Sequence, residues 1–391
     1  MRLASVFLLC ASLHAAVEIS TNFEGGSLGR IDKVSDRHFR LGAKGEKDQD
    51  GRNRQANWYY FRVDGAAPSQ ELILDIVDLP GEYNYKPNQG AITKDTPPVI
   101  SYDGKTWAHV TTFEYDEKEP KLRLKIAPEK ARFSIAHVPP YTNENLQALR
   151  KLVKNEELIG KTADKRDLYL WTFGRPDAPK TVWLMFRQHS WEGGSSWTGE
   201  GVVRELLKDA HGIQWKVFPL CDPDGVARGG VRFNKFGYDL NRNWDVDDPI
   251  KMPEIHAQRA AVRKWLDAGK KIDLFYSLHN TETAEYLDGI KEFHEMGERF
   301  YKILTETTSF HPSRPFRDSE GTTTPGMKGR MTVIQGLYYD FQLQGYLMEQ
   351  RVSYNAKLKR LPLPPDRLQF GRELVEAIAN TLSGSKNRAL H

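Results

Sequence analysis

The arrangement of apolar residues changes near Tyr141, and this change constrains the fold more than any other feature of the chain. Before Tyr141, short runs rich in β-branched and aromatic residues are separated by turn signals, and they occupy residues 58–63, 72–77, 102–107 and 121–126. The run at 102–107 surrounds an Asp-Gly turn. Short strands at this spacing are typical of an antiparallel β-sandwich. A sandwich domain is therefore predicted for residues 17–140.

After Tyr141, short apolar runs alternate with longer stretches in which apolar residues recur at helical spacing. The predicted strands are 167–173, 181–187, 214–220, 272–278 and 345–351, and the predicted helices are 197–210, 255–268, 295–307 and 372–382. This alternation favours a mostly parallel mixed sheet with helices on both faces. The expected fold class is therefore α/β, with a second domain over residues 141–391. Ligands of such sheets bind beyond the carboxyl ends of the strands.

The first sixteen residues have the features of an export signal. Arg2 precedes an uncharged apolar run from Leu3 to Leu13, and small residues follow. The run is shorter than the roughly 20 residues that a membrane-spanning helix needs. It is typical of a secretory signal peptide, residues 1–16, cleaved after Ala15 or Ala16. We expect a soluble exported protein, periplasmic or secreted, without stable membrane insertion after cleavage.

Cysteine content and charge exclude further classes. Cys10 lies in the predicted signal peptide, so the mature chain would keep only Cys221 and could form no intramolecular disulfide. The 56 Lys and Arg residues nearly balance the 52 Asp and Glu residues. This balance gives no electrostatic reason to expect a nucleic acid as partner.

Three candidate metal ligands follow predicted strands. The strand at 181–187 leads into His189 and Glu192, and the strand at 272–278 ends next to His279. Two histidines and one glutamate can bind a zinc ion and leave one position open for water, as in catalytic sites. Each signal alone is weak, because His-x-x-Glu arises often by chance. A histidine that closes a strand is as often a hydrogen-bonded core residue.

Further motifs lie between these candidate ligands. They are Pro223-Asp224-Gly225 and the block Asp239-Leu240-Asn241-Arg242-Asn243-Trp244. With the His-x-x-Glu and the later His and Glu, they occur in the order found in the zinc carboxypeptidases, and the chain resembles that family. The resemblance is closest to the cytosolic carboxypeptidase branch, which includes deglutamylases of tubulin. That branch also has an N-terminal β-sandwich, which the runs Trp58 to Val63 and Ala136 to Thr142 resemble.

The resemblance implies a zinc site with one Zn²⁺ per chain. Its ligands would be His189, Glu192 and His279. Asp239 would accept a hydrogen bond from His189 and fix the orientation of that ring, as residues next to a ligating histidine usually do. The middle pair of the first motif is Ser190-Trp191 here instead of the branch's usual Pro-Gly, a change that affects the pocket and leaves the ligands intact.

The resemblance also implies roles at the substrate. Asn241 and Arg242 would bind the terminal carboxylate, for which a guanidinium has suitable bidentate geometry. Arg232 would stabilise the developing oxyanion. Glu349 would act as the general base toward a zinc-activated water. Without the other motifs, Glu349 is better interpreted as an edge-strand glutamate paired with Arg351.

The resemblance implies a zinc-dependent metallocarboxypeptidase that hydrolyses C-terminal amino acids from peptides or proteins. Two alternatives stay open at this point. One is a zinc amidase or cell-wall peptide carboxypeptidase that uses the same site. The other is a non-catalytic glycan-binding protein with a degenerate peptidase domain. Export of the chain argues against tubulin as the substrate.

Overall fold

The computed structural model of the protein describes residues 16–83, 86–88, 90–319 and 329–384. The predicted signal peptide, apart from residue 16, lies outside these ranges. Within them, no helix is long and apolar enough to cross a membrane.

The N-terminal part forms two five-stranded sheets and a small hairpin within the described residues. Its strands are β1 (Glu18–Ser20), β2 (Ile31–Ser35), β3 (His38–Gly42), β4 (Tyr60–Asp64), β5 (Leu72–Val77), β6 (Gly81–Tyr83), β7 (Lys86–Asn88), β8 (Val99–Ser101), β9 (Ala108–His109), β10 (Phe113–Asp116), β11 (Lys121–Ile126) and β12 (Phe133–Ala136). One sheet has the order β1-β4-β12-β8-β9 and the other β10-β11-β5-β3-β2. Strands β6 and β7 pair with each other.

The two sheets pack face to face, as the alternating pattern predicts. In β11, Leu122, Leu124 and Ile126 are buried while the basic residues between them are partly exposed. These apolar residues join residues of both sheets in one core. The predicted sandwich is confirmed, with one exception to its antiparallel pairing. Strands β3 and β5 pair in parallel, because β4 lies between them in sequence but belongs to the facing sheet.

The predicted Asp-Gly turn lies between β8 and β9. The Asp103 carboxylate accepts hydrogen bonds from the backbone nitrogens of Lys105 and Thr106, both at 2.7 Å. These bonds close the turn, so residues 102–107 connect two short strands that pair in antiparallel fashion.

The C-terminal part is a mixed eight-stranded sheet with helices on both faces, within the described residues. Its strands are β13 (Glu156–Lys161), β14 (Asp167–Phe173), β15 (Thr181–Phe186), β16 (Gln214–Phe218), β17 (Leu274–Thr281), β18 (Tyr286–Gly289), β19 (Arg317–Asp318) and β20 (Gly345–Arg351). Its helices are α1 (Asn143–Arg150), α2 (Gly193–Leu206), α3 (Pro223–Arg228), α4 (Pro253–Asp267), α5 (His294–Thr307), α6 (Val333–Phe341) and α7 (Pro364–Ser383), with a 3₁₀ turn at Lys291–Phe293. The strand order is β13-β14-β16-β15-β17-β20-β18-β19.

The centre of this sheet is parallel, from β16 through β15 and β17 to β20. Strand β15 is buried on both faces, as expected for a parallel strand between helix layers. Val182, Leu184 and Phe186 belong to the core that contains α2, α5 and α7. Trp183 and Met185 belong to the opposite core, with α4 and α6. The predicted α/β class is confirmed.

Helix α2, which directly follows the His189-x-x-Glu192 motif, packs closely on α7. At Gly201, a Cβ atom would come within 2.2 Å of the Leu368 carbonyl oxygen, and at Gly371 within 2.2 Å of the Thr198 oxygen. Only glycine permits this approach. The N-cap of the helix held in this way is Glu192.

The predicted boundary between residues 140 and 141 falls between β12, which ends at Ala136, and α1, which begins at Asn143. The division into domains of residues 17–140 and 141–391 stays a prediction. The helix predicted at 372–382 begins earlier, at Pro364. Proline is well tolerated in the first turn, where its missing N–H would have no helical partner.

Candidate metal centre

A strained residue introduces the first metal-ligand motif. Arg187 directly follows β15 and has a φ of 62°, which is rare for a residue with a side chain. Its buried guanidinium donates to the Ser190 carbonyl oxygen at 3.0 and 2.6 Å and to Ser196 Oγ at 3.1 Å. Burial lowers the pKa of Arg187 to about 10. These hydrogen bonds hold the turn that carries His189 into the site, where strain of this kind often occurs.

His189, Glu192 and His279 converge in the interior. His189 Nδ1 is 2.6 Å from Glu192 Oε1, and His279 Nδ1 is 3.0 Å from Glu192 Oε2. The two Nδ1 atoms are 3.3 Å apart, and all three side chains are buried. One ligand atom from each residue lies within 4.8 Å of the others. Two imidazoles and a carboxylate that face one point are a zinc donor set, so the residues present fit this metal.

Each histidine is oriented by a partner on its other ring nitrogen. His189 Nε2 lies 3.0 Å from Asp239 Oδ1. His279 Nε2 lies 2.9 Å from Gln188 Oε1, which also accepts a hydrogen bond from Ser277 Oγ at 2.9 Å. Such partners fix the tautomer and leave Nδ1 to face the metal position. Asp239 is among the predicted site residues. Gln188 is not, although its place directly before His189 is a signal that could have identified it.

The charges of the cluster favour a cation. Burial opposes ionisation of Glu192, but His189 and His279 hold its pKa at about 2. Burial lowers the pKa of His279, and so favours the neutral ring that a metal needs. The pKa of His189 is raised, because the negative charges of Glu192 and Asp239 outweigh the opposing effects of burial and Arg232. Burial also opposes the charge of Asp239, yet Arg232 and His189 keep its pKa well below the usual range.

Glu349 lies beside the cluster. In the parallel pairing of β17 with β20 it is the register partner of His279. Its Oε2 is buried and has no hydrogen-bond partner among the described residues. Burial, and then the negative charge of Glu192, raise the pKa of Glu349 well above its usual range. The alternative ion pair with Arg351 is not formed, since Arg351 Nε lies 3.7 Å from Glu285 Oε2 instead.

The other predicted site residues are held by hydrogen bonds within the protein. Arg232 Nε donates to Asp239 Oδ2 at 2.7 Å. Arg242 Nη1 donates to the Asn241 carbonyl oxygen at 2.8 Å. The Asn241 side chain already has contacts within the protein: Oδ1 accepts from the Val333 nitrogen at 2.9 Å, and Nδ2 lies 3.2 Å from His279 Nε2. Binding of a carboxylate by Asn241 stays a prediction.

One cavity of about 390 Å³ unites most of these residues. Its lining includes His189, Glu192, Arg232, Asn241, Arg242 and Glu349. The sandwich contributes Gln55, Asn57 and Tyr83 to the same lining. Two predicted residues do not line it: the cluster member His279 is fully buried, and Asp239 lines a neighbouring cavity. The sequence patterns did not predict that residues of the sandwich would line this cavity.

A buried His-Glu-His cluster with a carboxylate beside it, at the carboxyl edge of an α/β sheet, defines the class of metal-dependent hydrolases. Comparison with known families makes this assignment more specific. Residues 19–137 match the cytosolic carboxypeptidase N-terminal domain, and residues 143–288 match the zinc carboxypeptidase family. The chain thus combines a match to the cytosolic carboxypeptidase N-terminal domain with a match to the zinc carboxypeptidase domain, and its donor set fits the Zn²⁺ of that family.

Individual relatives agree with this assignment. An uncharacterized protein of Zymomonas mobilis is 22% identical over 94% of this chain and 97% of its own length. Human cytosolic carboxypeptidase 6 is 26% identical over 67% of this chain and 56% of its own length, so the chain spans little more than half of that relative.

Solved structures show the same fold. A metallo-carboxypeptidase from Burkholderia cenocepacia superposes with a TM-score of 0.80 over 95% of this chain and 100% of that one, at 21% identity. A metallo-carboxypeptidase from Pseudomonas aeruginosa, in complex with (2-guanidinoethylmercapto)succinic acid, superposes with a TM-score of 0.79. The superposition covers 94% of this chain and 99% of that one, also at 21% identity.

Proposed function

We propose that the protein is a zinc metallocarboxypeptidase that releases single amino acids from the C-termini of peptides or proteins. The observation that carries this proposal is the composition of one cavity. It is lined by the metal-ligand candidates His189 and Glu192, by Glu349, whose Oε2 has no hydrogen-bond partner among the described residues, and by Arg232 and Arg242. Metal-assisted hydrolysis of a terminal peptide bond uses a metal, a proton acceptor, an oxyanion partner and a carboxylate partner, and the cavity offers a candidate group for each.

His189, Glu192 and His279 would hold the zinc ion, which would supply a Lewis acid able to lower the pKa of a water molecule and polarise a carbonyl group. Glu349 has the position of a general base. Its free Oε2 can accept a proton from the attacking water and pass it to the leaving amine. The surrounding protein favours its protonated form, because burial and Glu192 raise its pKa. A bound cation would offset this effect by favouring the carboxylate.

The two arginines have different tasks in this mechanism. Arg242 lines the cavity and can bind the terminal carboxylate of the substrate, which restricts cleavage to chain ends. Arg232 is held by Asp239 and stays charged, since the ion pair with Asp239 raises its pKa in spite of burial. A fixed charge near the scissile carbonyl stabilises the oxyanion that forms there.

The test is a digestion panel with the purified zinc-loaded protein. It contains peptides in matched pairs with free and amidated C-termini, a polyglutamate peptide and muropeptides, and products are identified by mass spectrometry. We expect stepwise release of single amino acids from free C-termini, loss of activity with a chelator and recovery with Zn²⁺. Equal rates on free and amidated peptides would favour an amidase, and cleavage of muropeptides alone would favour a cell-wall enzyme. Absence of any hydrolysis would refute the proposal.

We also propose that the protein is exported, on the basis of the predicted signal peptide of residues 1–16. Its substrates would then be peptides outside the cytosol. Cell fractionation followed by N-terminal sequencing tests this proposal. We expect a mature chain that begins at Ala16 or Val17 in the exported fraction, and an uncleaved chain in the cytosol would contradict it.

A further inference from the structure

The loop that carries Arg232 is held by a carboxylate from the sandwich. Glu46 lies between β3 and β4, and its Oε2 accepts hydrogen bonds from the backbone nitrogens of Val231, Arg232 and Phe233 at 3.0, 2.7 and 2.8 Å. Three consecutive N–H groups that face one oxygen form a backbone concavity suited to anions. The other carboxylate oxygen of Glu46, Oε1, accepts a hydrogen bond from Arg228 Nη2 at 2.8 Å. Together these bonds tie the backbone of residues 231–233 to one side chain.

Glu46 is itself fixed within the sandwich. Its backbone N–H donates to the Gln55 carbonyl oxygen at 2.7 Å, and the Gln55 N–H donates back at 2.8 Å. The Gln55 side chain then donates to the Glu82 carbonyl oxygen at 2.9 Å, in β6. The next residue of that strand is Tyr83, whose ring centre lies 5.7 Å from the guanidinium carbon of Arg232. The sandwich therefore contacts Arg232 at both its backbone and its guanidinium group.

The opposite end of this network is the metal cluster. The Arg232 guanidinium donates to Asp239 Oδ2 at 2.7 Å, and Asp239 Oδ1 lies 3.0 Å from His189 Nε2. A shift of the loop would move the guanidinium relative to the metal ligands. Displacement of a catalytic group by about 1 Å can lower the reaction rate on the order of a hundredfold.

We infer that Glu46 is a positioning residue for the reaction: by fixing the backbone of residues 231–233, it holds the Arg232 guanidinium where negative charge develops. The inference rests on the proposed function and gives the sandwich a part in catalysis. Glu46 lines neither of the cavities at the site, so it acts through Arg232 and does not touch the substrate.

The test is a double-mutant cycle in the full-length zinc-loaded protein. Glu46→Gln keeps the side-chain shape but removes the charge that the three N–H groups share. We expect kcat to fall about tenfold with little change in KM, since an oxyanion partner acts in the transition state. In the Arg232→Ala background the same substitution should cause no further loss. The matched control is Glu24→Gln, because Glu24 is another sandwich carboxylate that binds the second domain, through Asn143.

Amide hydrogen exchange gives a readout that does not need activity. We expect the amides of residues 231–233 to exchange faster in Glu46→Gln than in the wild type and to stay protected in Glu24→Gln. If Glu46→Gln does not fold, Glu46→Asp keeps the charge, shortens the side chain and allows the same cycle. Unchanged exchange, an additive cycle or an equal loss in the control would overturn the inference. If the wild-type protein has no peptidase activity, the proposed function is refuted. Hydrogen exchange would still test whether Glu46 fixes the backbone of residues 231–233.

Discussion

His279 and Glu349 are register partners on the adjacent parallel strands β17 and β20. One is a metal-ligand candidate and the other the candidate general base, and the register of the two strands places them side by side. The pairing keeps an ionisable carboxylate beside the cluster without an ion pair of its own. It also explains why the site lies at the carboxyl edge of the sheet.

Substitution Glu349→Gln should lower kcat strongly and leave the metal in place. The amide cannot accept the proton, and general acid–base groups contribute about 10²- to 10⁴-fold to rates. We expect kcat to fall within that range while zinc analysis still gives one ion per chain. Glu285→Gln is the control, because Glu285 is a buried glutamate near Arg351 that lies outside the cavity. A Glu349→Gln enzyme with a kcat close to that of the wild type would be incompatible with the mechanism.

Substitution Gln188→Leu should weaken zinc binding. Gln188 accepts from the ring nitrogen of His279 that faces away from the metal position, at 2.9 Å. Loss of such a partner typically costs about 10- to 100-fold in metal affinity. Competition with a chromophoric chelator measures the change. Gln258→Leu replaces another buried glutamine, on α4, and should leave the affinity unaltered. Equal affinities of both variants would show that Gln188 does not orient the ligand.

Substitution Arg242→Ala should raise KM for peptides with a free C-terminus and leave amidated peptides unaffected. Removal of a charge-assisted hydrogen-bond partner costs about 1.5–3 kcal/mol, or roughly 10- to 150-fold in binding. Arg242→Lys should recover only part of this loss, because an ammonium lacks the bidentate geometry. The ratio of kcat/KM between matched free and amidated peptides reports the effect. Arg175→Ala, at an exposed arginine, is the control. A ratio that does not change in Arg242→Ala would exclude the carboxylate role.

Stability should fall as the pH rises through the neutral range. Glu254 is buried in the first turn of α4, and burial and then Asp222 raise its pKa from 4.5 to about 8. Between these two values the unfolded chain has lost the proton while the folded chain keeps it. Ionisation therefore opposes folding, and the free energy of unfolding decreases with pH in this window.

Glu254→Gln removes this ionisation. The variant should be more stable than the wild type at pH 9, by about 1 kcal/mol or more, and gain no such advantage at pH 5. Chemical denaturation at both pH values measures the difference, with the exposed Glu71→Gln as the control. If the difference between wild type and variant is the same at both pH values, the raised pKa is wrong.

Local patterns predicted most of the elements that form the core. Strand β11 alternates buried apolar and partly exposed basic residues, and β15 is apolar throughout, so each shows its environment in its own sequence. The His-x-x-Glu motif likewise predicts two ligands three residues apart, on a loop or a first helical turn. Gln188 was missed although it directly precedes His189. The strained Arg187 was missed because its residue type gives no sign of a positive φ.

The sequence by itself determined which chemical groups are available: two histidines and a glutamate for zinc, a carboxylate for proton transfer and arginines for anions. The tertiary structure decided which of them meet. The pairing of β17 with β20 brings Glu349 to His279, and the docking of the sandwich brings Glu46 to the loop of Arg232. The reason is physical. Strand register and domain contact depend on burial summed over many distant residues, and no local pattern around Glu46 or Glu349 contains that information.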